Sequence, residues 1–294
     1  MKGALKLGNE NWSLSVLPKM GASITSCEYL GFPVFEPARP AFLGKTDVFA
    51  SSCFPLIPFS NRIANGRFSF AGEAHQIEPN HPNEKHPIHG NSWQKPWKVI
   101  SQTANSCRLS LSYKPEPKGW PWAYYAEQLI TITDDILAFE LSITNTDEHP
   151  FPAAIGLHPF FSDAQSAQIE FEAETLWEHD KDILPTHLRR LTSETDFSKF
   201  QFLKDRRLDN CFSGWNGATK MCWPSFNHVI EMRADPVFSN LVVYSQPETS
   251  FFCLEPVTHT NNALNLGNNC DMDIVNPGED LSGEILFQGR AKEA

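Results

Sequence analysis

Strict two-residue alternation of apolar and polar side chains, repeated along much of the chain, is the strongest constraint on how this sequence can fold. In "CRLSLSYK", Cys107, Leu109, Leu111 and Tyr113 alternate with Arg108, Ser110, Ser112 and Lys114. In "ILAFELSIT", Leu137, Phe139, Leu141 and Ile143 share one face. In "QIEFEAET", Ile169, Phe171 and Ala173 alternate with three glutamates. Successive side chains of a strand point to opposite sides, so each run presents an apolar face that a second layer must cover. Turn residues separate the runs: Ala71-Gly72 between "RFSF" and "EAHQIE", Asp134-Asp135 between "EQLITIT" and "ILAFELSIT", and "TANS" between "KVISQ" and "CRLSLSYK". These read as hairpins. Further strands are expected near 12–17, 22–28, 151–156, 219–223, 227–232, 240–245, 250–254 and 284–288. Helical periodicity is scarce, and a short turn of helix at 196–204 is its best candidate. Together with 22 prolines and 16 glycines, the pattern implies an all-β fold, a large antiparallel β-sandwich. No composition shift, low-complexity tract or fixed-period repeat divides the chain, so 1–294 is expected to be one domain.

Composition narrows the function. A formal net charge of −11, from 24 basic and 35 acidic residues, offers no electrostatic footprint for nucleic acid or for an anionic membrane. It also weighs against a highly phosphorylated substrate. No apolar run approaches the ~18 residues of a membrane span, and the first residues lack a leader-like apolar segment. Seven cysteines without a C-x-x-C pair read as reduced, scattered thiols of a cytoplasmic protein.

Four stretches break the sandwich pattern, and rule-breaking is where sites are expected. In "PFSNRIANGRF", Asn61 and Arg62 follow an apolar, proline-bounded segment. The planar donor fork of Arg62 suits oxygen acceptors, or equally a structural carboxylate across a loop. In "HPIHGNSWQKPW", His86 and His89 sit with Gly90, Asn91, Trp93 and Trp97 in a loop suited to close backbone approach. His75, His81, His86 and His89 raise the question of a metal, but their spacing matches no zinc signature. Solvated histidines on a surface loop are the plainer alternative. In "AAIGLHPFFSD", His158 interrupts an apolar run before Pro159, which favours extended backbone at His158. In "SFFCLEP", Glu255 is expected to end an apolar strand before Pro256. Desolvation there raises a carboxyl pKa and makes a better base near neutrality. His158 and Glu255 thus share one grammar of apolar strand, ionisable residue and proline. Taken singly, each also fits a satisfied core residue. No nucleophile elbow, phosphate loop or dinucleotide fingerprint is present.

The words "NRIANGRF", "HPIHG", "GLHPFF" and "LEPVTHTNNALN", in that order, with "NPGEDLSGEILF" near the end, resemble the aldose 1-epimerase (galactose mutarotase) family over nearly the whole chain. The resemblance implies a mutarotase-type sandwich that interconverts the anomers of a free aldose without a cofactor or metal. It implies His158 as general acid and Glu255 as general base. Asn61 and Arg62 match the sugar-contacting pair, His89 a second histidine at the sugar ring, and Asp209 in "LDNCF" an aspartate that binds sugar hydroxyls. Many members read His-Gly-Gly where this chain has His89-Gly90-Asn91. The hexose-6-phosphate branch typically reads His-Thr where this chain has His158-Pro159. The expected partner is a small-molecule monosaccharide, bound by a monomer or homodimer. Trp93 or Trp122 is a candidate cover for an apolar sugar face. The alternatives are a non-catalytic sugar-binding or sensor protein, a hexose-6-phosphate 1-epimerase, and, remotely, a metal-dependent hydrolase using the His75–His89 cluster.

Overall fold

A computed structural model describes residues 3–40, 47–267 and 272–292. Two large antiparallel sheets dominate it. The first has twelve strands, including Ser23–Tyr29, Phe32–Phe35, Phe160–Ser162, Phe251–Val257, Asn240–Ser245 and Leu208–Ser213 in neighbouring order. The second has nine, centred on Tyr124–Thr133, Ile136–Asn145, Asp280–Ala291 and His228–Ala234.

The alternating runs do what their period requires. Tyr124–Thr133 and Ile136–Asn145 pair over their full length, Thr133 opposite Ile136, and the two-residue turn has Asp134 at φ 47°. Ala71 (φ 51°) and Gly72 (φ 83°) close the hairpin of Arg67–Phe70 and Glu73–Gln76; positive φ at both positions is the turn that matches strand twist. The apolar set of the nine-stranded sheet, including Leu109, Ile130, Phe139, Leu141, Ile230 and Ile285, enters the main core. It meets Phe35, Phe161, Phe212, Leu241, Val243, Phe252 and Leu254 from the twelve-stranded sheet. Phe287 touches Phe35 edge-on at 5.3 Å across the sandwich.

The twelve-stranded sheet is apolar on its second face too. Phe54, Leu56, Trp93, Phe160, Trp177, Cys211, Val242, Cys253 and Val257 form a separate buried cluster there. In Phe251–Val257 the two clusters take alternate residues: Phe252 and Leu254 go to the core, Cys253 and Val257 to the other side. Glu255 has the parity of Cys253, so it stands on the second face.

Three sequence expectations change. Residues 196–204 form no helix. Phe197 and Leu203 are the buried ones, and six positions apart they cannot share a helix face. Instead Phe197 packs on Phe171 and Phe212, and Gln201–Phe202 pairs with Gln168 and Ile169. Glu255 does not end its strand, because Val257 still pairs with Asn240 and Gly156. The histidine-rich loop is not a solvated one, since His86 and His89 are buried. Six cysteines are free thiols, five of them buried; Cys270 lies outside the described residues. Among those residues no helix is long and apolar enough to cross a membrane.

Candidate active site

Strand register builds the floor of a cavity on the second face. Phe160 pairs with Cys253, so His158, two residues before Phe160, comes level with Glu255, two residues after Cys253. His158 Nε2 lies 3.3 Å from Glu255 Oε1. Asp209 pairs with Tyr244, which pairs with Cys253, bringing the aspartate to the same face two strands out from Glu255.

Loops supply the rest. The loop carrying Asn61 is clamped by the "THTNN" segment: the Ser60 N–H donates to His259 Nε2 at 2.9 Å and the Ala64 N–H to Asn262 Oδ1 at 2.9 Å. Asn61 and His89 hold each other. The His89 N–H donates to the Asn61 carbonyl at 2.9 Å, and the Asn61 N–H donates to His89 Nδ1 at 3.1 Å. Both residues sit in the left-handed region, at φ 50° and 58°, where only a well-determined surrounding keeps a non-glycine residue. Gly90, at φ 65°, runs against the Ile57 carbonyl, and a Cβ there would stand 2.0 Å from that oxygen. Gly90→Ala is therefore expected to lower stability by more than ~3 kcal/mol, combining strain with a backbone clash. A melting temperature within 2 °C of wild type in thermal denaturation, roughly a fraction of a kcal/mol, would contradict this.

Asn61, Arg62, His89, His158, Asp209 and Glu255, the six residues that the family resemblance assigns to the site, line one cavity of about 340 Å³. That lies at the small end of the ~300–1,000 Å³ typical of small-molecule sites. The sequence did not single out Arg39, Asp47, Phe49, Glu84, Tyr244, Phe251 and Cys253, which also line it. Alternation alone could have found Phe251 and Cys253, which share the parity of Glu255. Arg39, Asp47 and Glu84 come from loops that no periodicity places. Trp93 and Trp122 are not in the lining: Trp93 lies behind Phe49, and Trp122 stacks on Phe151 in the core. Phe49, Phe160, Tyr244 and Phe251 provide the aromatic wall instead.

Burial sets the electrostatics. It holds the Glu255 carboxyl well above its ordinary range; nearby Asp209 adds to this and Arg62 opposes it. It pushes His158 down to about 3, with Arg39 adding to the effect. It also raises Asp209 and lowers His89 well below normal, His158 and Arg62 assisting in the latter. The His158 ring packs against both Phe54 (4.8 Å) and Phe160 (4.5 Å), whose own centroids lie 6.2 Å apart. Its Nδ1 has no hydrogen-bond partner, so ring stacking rather than a second-nitrogen hydrogen bond fixes its orientation.

Arg62 gives Nε and Nη2 to Glu84, both at 2.9 Å, so its fork is held by a structural carboxylate at the cavity wall. His89, His158 and Glu255 bring three potential ligand atoms within 4.8 Å of one another; of the His75–His89 cluster, His89 alone takes part among the described residues. Because His89 Nδ1 accepts the Asn61 N–H, neutral His89 carries its proton on Nε2. It then presents a donor rather than the lone pair a metal needs.

A buried carboxyl–imidazole pair at the floor of a polar cavity, on the outer face of a large antiparallel sandwich, defines a class of proteins equipped for proton transfer to a small ligand. The chain belongs to the aldose 1-epimerase family, whose model matches residues 3–288. Uncharacterized protein YphB of Escherichia coli K12 is 30% identical over 264 residues, covering 87% of this chain and 88% of that protein. The crystal structure of a proposed aldose 1-epimerase from E. coli K12 superposes with a TM-score of 0.90 at 26% identity, covering 98% of this chain and 99% of the other. A galactose 1-epimerase from Lactobacillus acidophilus shares the fold, with a TM-score of 0.81 at 16% identity over 99% and 95% of the two chains.

Proposed function

We propose that the protein is an aldose 1-epimerase, an isomerase that interconverts the α and β anomers of a free aldose without a cofactor, acting as one domain. The observation that carries this reading is the buried His158–Glu255 contact of 3.3 Å. Burial disfavours charge on either partner, so the empty pair shares one proton, held on the carboxyl side. Sugar hydroxyls entering the cavity solvate the carboxylate, Arg62 favours its negative charge, and the proton passes to His158.

Glu255 then accepts the proton of the anomeric hydroxyl while His158 gives its proton to the ring oxygen. The C1–O5 bond breaks and leaves an open-chain aldehyde. Rotation about C1–C2 presents the other carbonyl face. His158 takes back the proton of the C5 hydroxyl as that oxygen attacks C1, and Glu255 returns its proton to the former carbonyl oxygen. The pair ends as it began. The Nε2–H of His89 can stabilise charge on the reacting oxygens without being charged itself. Asn61 Oδ1 accepts from the Arg62 N–H at 3.0 Å, which leaves its amide nitrogen for a sugar hydroxyl. Asp209 offers acceptor oxygens, and the aromatic wall covers the C–H faces of the ring.

The test is exchange NMR or polarimetry on freshly dissolved aldoses, where the protein accelerates anomer interconversion above the buffer rate. Calorimetric binding of aldoses without any acceleration would replace this reading with a sugar sensor. The tautomer of His89 adds a second expected outcome: prolonged treatment with EDTA leaves the exchange rate unchanged. A loss of rate that a divalent cation restores would contradict it.

A further inference from the structure

The cavity holds a second guanidinium, and it is not committed as Arg62 is. Arg39 lies with Cζ 4.3 Å from the centre of the Phe251 ring and 5.0 Å from that of Phe160. Its Nη2 donates to the Phe49 carbonyl, and its own N–H donates to the Ala50 carbonyl at 2.8 Å. Among the described residues no carboxylate forms an ion pair with it. The two carboxylates that act on it electrostatically, Glu36 and Asp47, are engaged elsewhere. Glu36 accepts from the Ser250 hydroxyl at 2.8 Å, and Asp47 accepts from the Phe49 N–H at 2.8 Å and faces His81 at 3.6 Å. Burial lowers the Arg39 pKa, yet an arginine remains a cation at any working pH. A partly buried cation with one carbonyl acceptor and a free donor edge on a cavity is half of an interaction.

We propose that Arg39 receives a carboxylate carried by the substrate, which makes the preferred aldose a hexuronate rather than a neutral hexose. This rests on the epimerase reading. If His158 protonates the ring oxygen, C5 is bonded to that oxygen and C6 to C5. The C6 substituent therefore lies on the His158 flank, where Phe160 stacks on the imidazole at 4.5 Å and Arg39 lies just beyond. A planar carboxylate matches the guanidinium fork. A phosphate dianion fits less well, because Asp47, Glu84 and Asp209 line the same cavity and, among the described residues, Arg39 is the one lining arginine without a carboxylate partner.

The experiment is calorimetric binding of galacturonate and glucuronate against galactose, glucose and their 6-phosphates, with anomer exchange measured in parallel by NMR. The better hexuronate is expected to bind about tenfold or more tighter than its parent hexose, as a charge-assisted pair allows. In Arg39→Met the ratio of hexuronate to hexose affinity falls to about one or below, and in Arg39→Lys, which keeps the cation without the fork, it lies between. Hexuronate affinity no better than that of the parent hexose overturns the proposal. So does an Arg39→Met or Arg39→Lys variant that keeps the wild-type ratio, or a 6-phosphate that binds more tightly than the hexuronate. If every aldose exchanges at the buffer rate, the epimerase reading fails, while the affinity ratios still decide whether Arg39 reads an anion.

Discussion

Replacing Glu255 with glutamine is expected to remove about 10²–10⁴-fold of the anomer-exchange rate, the range a positioned general base supplies, while the fold persists. Glutamine keeps the shape and the acceptor oxygen but cannot take a proton from the anomeric hydroxyl. Stability should not suffer. The folded-state pKa of Glu255 is raised by burial, so its favourable contribution belongs to low pH and is lost as pH rises through that folded value. Glutamine carries no such dependence, and above neutral pH the variant should melt at or above the wild-type temperature. Polarimetry and thermal denaturation on the same preparation check both halves. Wild-type exchange in a folded Glu255→Gln protein would remove the carboxyl from the mechanism.

The second large effect is at His158. His158→Gln is expected to fold and to lose exchange by a comparable factor, ~10²–10⁴-fold, because the ring oxygen then has no proton donor. Its signature in stability has the opposite sign to that of Glu255. The His158 pKa is lowered to about 3 in the folded protein, against ~6.5 for a free histidine. Its contribution is fully present above the unfolded value and is lost as pH falls from there toward the folded one, at up to ~1.4 kcal/mol per pH unit. Removing the imidazole should flatten part of the acid limb and move acid unfolding to lower pH. His89, also lowered by burial, keeps the remainder. Urea denaturation of wild type and variant between pH 4 and 7, roughly the window these values define, reads this directly. Parallel acid limbs would mean that His158 is already charged in the folded protein.

The site was legible in the sequence where chemistry and strand period coincide. His158 and Glu255 stand out as ionisable residues inside apolar strand words, and a two-residue parity links each to the pocket-lining residue beside it. The family resemblance, rather than any spacing, drew Asn61, His89 and Asp209 into the same set. The sequence left Arg62 open between a structural pair and a sugar contact; the arginine forms a pair with Glu84 and also lines the cavity. Glu84 lies 22 positions away, a separation on which local pattern is silent. The tryptophans misled because an indole near a motif suggests a sugar platform, whereas Trp93 and Trp122 are buried supports. Arg39 left no trace in the pattern, because a loop cation is defined by which carboxylates fail to reach it. The strands themselves were readable because alternation is a consequence of burying a face. The apolar residues near 200 were misread because only two of them, Phe197 and Leu203, reach the core.

The alternate parity of Phe251–Val257 has a consequence for how such a protein can diversify. The strand is read in two interleaved frames, one written for the core and one for the cavity. A substitution alters a letter in one frame and leaves the other intact. A single inserted or deleted residue exchanges the frames, sending Glu255 toward the core and Leu254 toward the cavity. Drift along this strand is therefore confined to changes of residue at constant length. Changes of length that reshape the cavity have to arise in the loops, where Arg39 and Asp47 sit and no frame has to be kept.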